Sequence, residues 1–171
     1  MYDRILVPTD GGELALRAAE HGRYLAEVFD ATFDVLHVLD DRGVAGTPDE
    51  GEATDDTPTD PEASGRRAIA ALRERVPSDR PVRTALRRGT PAEEVLSYVD
   101  EFDVDLVVMG THGRTGVGRF VTGSVTEQVI RHAPVPVVTV RVTDRSDVAD
   151  GYGDVLVPTD GSAAARAAAE H

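Results

Sequence analysis

The sequence predicts an α/β protein: a Rossmann-like open parallel sheet of five strands with helices on both faces. Three observations predict it. Five short β-branched or apolar runs alternate with segments of helical spacing, and such alternation requires crossover connections between parallel strands. The run Asp105-Leu106-Val107-Val108-Met109 is nearly continuous in apolar residues, as in a central strand buried on both sides. A glycine-rich stretch from Gly110 to Val125, GTHGRTGVGRFVTGSV, then joins that strand to a helix, at the edge where open parallel sheets bind ligands.

Taken in order, the strands are residues 4–7 (RILV), 34–39 (DVLHVL), 82–86 (VRTAL), 105–109 (DLVVM) and 135–142 (VPVVTVRV), each bounded by turn or charged residues. The first helix spans residues 12–29, with Leu14, Ala18, Gly22, Leu25 and Phe29 at steps of three and four. A second, residues 62–76, repeats the pattern with Ile69, Leu72 and Val76. Thr90-Pro91-Ala92-Glu93 is a helix start: a Thr N-cap, Pro at the first helical position and a Glu that closes a capping box. A fourth helix covers residues 124–131, with Ser124 and Glu127 as its box. Residues 41–64 are an acidic insertion rich in Gly, Pro and Thr, a long loop to which no chemistry is assigned.

The 171 residues hold one ordinary domain, placed at residues 1–145. There is no cysteine, which removes disulfides, thiolate metal sites and thiol nucleophiles, and the five histidines are scattered. His21 and His37 read as structural, and no spacing is diagnostic of a metal site. No apolar run approaches the roughly eighteen residues of a membrane span, so a cytoplasmic protein without a membrane partner is expected. The formal charge is −13, and all 18 basic residues are Arg. With 40% apolar residues the chain still buries a core, so it reads as a folded protein adapted to high salt rather than an acidic tail. Such charge opposes nucleic-acid binding, which rests on phosphate neutralisation.

The chain also repeats itself. Residues 2–21, YDRILVPTDGGELALRAAEH, return at 152–171 as YGDVLVPTDGSAAARAAAEH, identical at twelve of twenty positions. Twenty residues make a strand and part of a helix, too little to bury a core. Residues 146–171 are therefore expected to be a linker plus the stub of a second, incomplete repeat.

Two segments carry the candidate chemistry. In the glycine-rich stretch the fixed spacing is Gly110-x2-Gly113-x9-Gly123-Ser124, with Gly116 and Gly118 between. Glycine lets a ligand approach the backbone, and a helix N-terminus offers unpaired N–H groups, so a phosphate chain fits. The capping box of Ser124 and Glu127 explains two residues without a ligand, but not the three glycines or the loop's length. No lysine is present for a GxxxxGK[ST] loop, and no GxGxxG opens the domain. Arg114 and Arg119 are phosphate contacts or solvated charges; His112 is more simply an exposed loop histidine than a catalyst.

The second segment is Val7-Pro8-Thr9-Asp10-Gly11-Gly12 at the end of the first strand. Asp10 either caps the first helix with Glu13 as box partner, or serves as an acceptor or metal-facing carboxylate at the sheet's carboxyl edge. If the strand order is 3-2-1-4-5, the order reverses between strands one and four, and both segments meet in one crevice.

With those residues laid out, the chain resembles the universal stress protein family over residues 2–142, and again from 152. The spacing of Gly110, Gly113, Gly123 and Ser124 matches the family's ATP-binding subgroup. The resemblance implies order 3-2-1-4-5 and a homodimer through the last strand. It implies ATP with adenine near Pro8, Thr9, Asp10 and Val38, and ribose near Met109 and Gly110. It places the phosphates on His112, Gly113, Gly123, Ser124, Val125 and Thr126, with Mg reached from Asp10. The role implied is regulatory, in stress response, with no committed catalytic residue and slow hydrolysis at most. A nucleotide-independent interaction module and a nucleotidyl-transferring enzyme on the same sheet are the rival classes. Family members often carry Ser where Gly12 stands, as Ser162 does in the repeat, so a weaker helix start is expected.

Overall fold

The computed structural model describes residues 2–41, 60–76, 81–111, 123–141, 148 and 151–170. Five strands form one sheet: β1 (Arg4–Thr9), β2 (Thr32–Asp40), β3 (Val82–Gly89), β4 (Leu106–Gly110) and β5 (Val137–Val140). All pairs are parallel and the order is β3-β2-β1-β4-β5. Between them run α1 (Glu13–Phe29), α2 (Pro61–Arg75), α3 (Pro91–Glu101) and α4 (Ser124–His132), and α5 (Ala163–Glu170) follows. Most of the acidic insertion, residues 42–59, lies outside the described residues.

The period of two along a strand splits the core into layers. Ile5, Val7, Phe33, Val35 and Val108 face one way, into a cluster with Ala18, Ala26, Ile69 and Leu72 of α1 and α2. Leu6, Leu36, Val107 and Met109 face the other, toward Val95 and Val99 of α3 and Val129 of α4. Gly22, inside the apolar stripe of α1, is where helix and sheet come closest: a Cβ there would lie 2.5 Å from Val7 Cγ2 and 3.1 Å from Phe33 Cε2.

One polar group sits inside the second layer. Asp34 of β2 is fully buried and accepts a hydrogen bond of 3.0 Å from Tyr98 Oη, with Arg4 Nε 3.7 Å away. Burial first, and then the Asp34 charge, pushes the Tyr98 hydroxyl up to about 12. Arg87 stacks 4.9 Å from the Tyr98 ring centroid and pairs with Glu94 and Glu101, lashing β3 to α3.

Several strand ends differ from the sequence expectation. β3 runs to Gly89 instead of residue 86, because Arg87 and Arg88 continue the ladder on an edge strand where charge costs little. β5 begins at Val137, not 135: Pro134 and Pro136 have no N–H to give, although the Pro136 carbonyl still accepts from Val107. β1 continues through Pro8 to Thr9 against β2, yet pairs β4 only at Ile5 and Leu6.

The helix starts differ too. The N-cap of α1 is Gly12, with no side-chain cap bond, so Asp10 is not the cap. Its Oδ1 instead accepts the Gly12 N–H at 2.8 Å, and Glu13 pairs with Arg75 rather than closing a box. Thr90 holds the N-cap place of α3 with Pro91 following, but its hydroxyl caps nothing. At α4 the cap is Gly123, not Ser124, and Glu127 bonds Arg131 at 2.8 Å. The expected capping boxes are therefore absent at these three described starts: glycine occupies two of the cap places, and at the third the Thr90 hydroxyl makes no cap bond.

Residues 151–170 add no strand to this sheet. Tyr152 Oη lies 2.8 Å from His21 Nδ1, and its ring meets Tyr24 edge-on at 5.4 Å, fixing the segment to α1. The repeated turn then forms by itself. Gly161 has φ +81 against +80 at Gly11, and the bonds Gly161 N to Thr159 Oγ1 (3.1 Å) and Ser162 N to Asp160 Oδ1 (2.8 Å) copy those at residues 9–12. Hydrogen bonding from the Ser162 side chain first, and then from its backbone N–H, holds the Asp160 carboxyl below its usual range. Ser162 Oγ also accepts the Ala165 N–H at 3.1 Å, a true cap that Gly12 cannot provide.

Candidate functional site

The site begins where β1 and β4 part. Their pairing ends at Leu6 and Val107, and Pro8, lacking an N–H, stands two residues beyond on β1. Strand order reverses at this pair, so the helices that follow β1 and β4 lie on opposite faces and leave a crevice between them. A cavity of about 330 Å³ fills it, within the size range of small-ligand pockets.

Ten of the twelve sequence-predicted binding residues line that one cavity: Pro8, Thr9, Asp10, Val38, Met109, Gly110, Gly123, Ser124, Val125 and Thr126. The other two, His112 and Gly113, lie outside the described residues, as do Arg114, Gly116, Gly118 and Arg119. Sequence reasoning missed the far wall, made by Leu36, Pro91 and Val95, and three further lining residues, Ala15, His37 and Asp40. Pro91 and Val95 were readable as the start and buried face of α3, but nothing local said that this face looks into a cleft.

The two ends of the glycine-rich stretch are stitched together. Thr126 Oγ1 donates to the Gly110 carbonyl at 2.8 Å, Gly123 N donates to the Thr111 carbonyl, and Thr111 N donates to Val140 O at 3.1 Å. The first turn of α4 is thereby fixed over the end of β4. Its N–H groups have no acceptor within the helix and carry the positive end of the helix dipole.

The two described glycines of the motif owe their lack of a side chain to different causes. At Gly110 a Cβ would meet Leu14 Cβ at 2.9 Å and the Leu14 carbonyl at 3.1 Å, so the close passage of α1 demands glycine. At Gly123, φ −57 and ψ 144 suit any residue. Backbone conformation does not require glycine there.

Among the described lining residues are two carboxylates, Asp10 and Asp40, and no arginine. His37 belongs to the opposite side of β2, where its ring packs against Gly65 of α2. No cluster of three metal-ligating side chains occurs among the described residues, and no described helix is long and apolar enough to cross a membrane.

The family model described as "Universal stress protein family" matches residues 1–141. The chain belongs to this family. It is similar to the universal stress protein MJ0531 of Methanocaldococcus jannaschii, 34% identical over 144 residues that cover 82% of this chain and 83% of that protein. Among solved structures it is similar to MJ0577 of the same organism, at TM-score 0.65 and 28% identity over 84% of this chain and 99% of that one. A universal stress protein solved in complex with cAMP shares the fold at TM-score 0.61 and 20% identity, over 81% of this chain and 97% of the other. In this universal stress protein the family match ends before residues 151–170, which hold the repeated segment.

Proposed function

We propose that this universal stress protein binds ATP at the carboxyl edge of its sheet and acts as a regulatory, stress-response protein. One observation carries the reading: Pro8 to Asp10, Met109 and Gly110, and Gly123 to Thr126, far apart in sequence, line one cavity. The apolar wall of Leu36, Val38, Pro91 and Val95 suits a flat base, and the first turn of α4 suits an anion. Gly123, whose backbone does not demand glycine, leaves room for phosphate at that turn. His112 and Gly113 complete the phosphate contacts in this reading.

Asp10 and Asp40 repel a bare polyphosphate, so a divalent cation, Mg, is the expected companion, reached from Asp10. The protein works in the cytoplasm at high salt, where the Debye length of about 3 Å at 1 M leaves only direct contacts to act. It pairs as a homodimer through β5. Residues 1–145 form its domain, and residues 146–171 are a linker with the beginning of a second repeat.

Calorimetry in molar KCl with ATP, ADP, AMP and cAMP, with and without Mg, tests the proposal. Heat from ATP that weakens at least tenfold in EDTA is expected. No heat from any nucleotide would leave the interaction-module reading, and many turnovers per minute would favour an enzyme.

A further inference from the structure

The chain's positive charge gathers on one edge of the fold. Residues 66–88 hold eight of the 18 arginines and only two of the 31 acidic residues, a basic band in a chain of net charge −13. The band covers most of α2 and nearly all of β3. Among the described residues β3 has β2 as its one neighbour and stands at the end of the sheet. A row of its backbone N–H and C=O groups, along eight residues, therefore faces outward.

Arginines flank that row on both faces. Glu62, Arg66 and Arg73 fall at steps of four and seven on α2, beside the buried stripe of Gly65, Ile69 and Leu72. Glu62 reaches Arg88 of β3 at 3.8 Å, so this side of the helix runs along the outer strand. Arg88 also meets Asp41, and Arg66 meets Glu62, each at 3.5 Å between side chains at least half exposed, so these pairs exchange partners at little cost. The period of two puts Arg88 with Leu86 on the α2 side and Arg83 with Ala85 on the other. Arg73 and Arg83 are exposed and have no hydrogen bond or ion pair among the described residues. Such charge also guards an edge: two copies of β3 laid together would set Arg83, Arg87 and Arg88 of each against the other. A second copy is thus the wrong occupant, and an acidic strand is the matching one.

We propose that the β3 edge is a docking site for an extended acidic segment of a partner protein, which adds to the sheet as a further strand beside β3. The segment's backbone takes up the outward row, and its carboxylates reach Arg66, Arg73 and Arg88 on the α2 side and Arg83 on the other. A nucleic acid fits less well: it has no strand backbone to offer, and the acidic remainder of the chain repels it. No residue of α2 or β3 is among those lining the cavity, so this docking site stands apart from the nucleotide site.

Fluorescence anisotropy of the full chain in molar KCl, with a labelled octapeptide of alternating Glu and Thr as probe, tests the proposal. Saturable binding is expected, weakened at least tenfold in Arg73→Glu/Arg83→Glu, a change at two exposed side chains that should leave the circular dichroism spectrum as it was. With the peptide bound, hydrogen exchange should slow at least tenfold at alternate residues of 82–89, those whose N–H groups point away from β2. A control peptide with proline in place of threonine keeps the charge but cannot add as a strand, and should bind at least tenfold more weakly. No binding of the Glu–Thr peptide would overturn the proposal and leave the arginines as guards of the edge. Equal binding of the proline control would reduce the site to charge alone, and tighter binding of an oligothymidylate of the same length would give the surface to nucleic acid; either result overturns strand addition.

Discussion

Gly110→Ala separates packing from ligand binding in the glycine motif. The new Cβ would stand 2.9 Å from Leu14 Cβ and 3.1 Å from the Leu14 carbonyl, and these are contacts with backbone-proximal atoms that no rotamer change relieves. Either α1 lifts from β4 or β4 moves from β5, and overpacking of this kind costs about 1–3 kcal/mol. For a domain of this size about 1 kcal/mol lowers Tm by roughly 3–4 °C, so a fall of roughly 3–12 °C is expected. Thermal and urea unfolding in molar KCl without nucleotide is the assay. The double variant Leu14→Ala/Gly110→Ala should not recover the lost stability, because alanine keeps the Cβ and the carbonyl that clash. Unchanged ligand-free stability in Gly110→Ala would refute the reasoning and return this glycine to the ligand; a recovery in the double variant would show that the clash lies further out on the Leu14 side chain.

Gly123→Val should keep the fold, since φ −57 and ψ 144 are open to valine, while ATP affinity falls at least a hundredfold; calorimetry beside circular dichroism checks both, and unchanged affinity contradicts the phosphate assignment. Tyr98→Phe removes the 3.0 Å bond to Asp34 and should cost about 1–3 kcal/mol at neutral pH, measured by urea unfolding. Its pH dependence follows from a folded-state value of about 12 against an ordinary 10. The neutral phenol is favoured in the fold, so its stabilisation is complete below pH 10 and is lost as pH rises through 12. The chain has no lysine to titrate in that window. Stability should therefore fall between pH 10 and 12 more steeply in the parent chain than in Tyr98→Phe, and equal slopes would count against the buried pair.

The fold was legible because its signals are local. Alternating apolar runs and helical stripes mark all five strands and the first four helices, and a nearly continuous apolar run such as Leu106–Met109 suits a strand covered on both faces and little else. Strand ends were less legible: Arg87 and Arg88 carry no hydrophobic signal, and only pairing with Val38 and Leu39 makes them strand. Helix caps were misread because Asp and Ser signal a cap wherever their side chains could bond, whereas Asp10 sits two residues before the actual cap, Gly12, and bonds its N–H, and Gly123 leaves Ser124 inside the helix. The cavity's far wall was not legible at all, since Leu36 and Val95 meet only after β2 and α3 have packed.

The glycine motif shows where such a pattern stops being informative. Gly110, Gly113 and Gly123 form one spacing in sequence, and spacing alone suggests one cause. In the fold, Gly110 answers to the backbone of Leu14 in α1, while Gly123 caps α4 on the cavity wall with a conformation any residue could adopt. Leu14 is itself placed by the turn at residues 9–12, whose two side-chain bonds recur unaided at 159–162. That turn aims α1 along β4, the close passage of α1 selects glycine at 110, and the Gly110 carbonyl then anchors Thr126 and with it the first turn of α4. A glycine imposed by packing against α1 thus fixes, through its carbonyl, the helix start that faces the cavity.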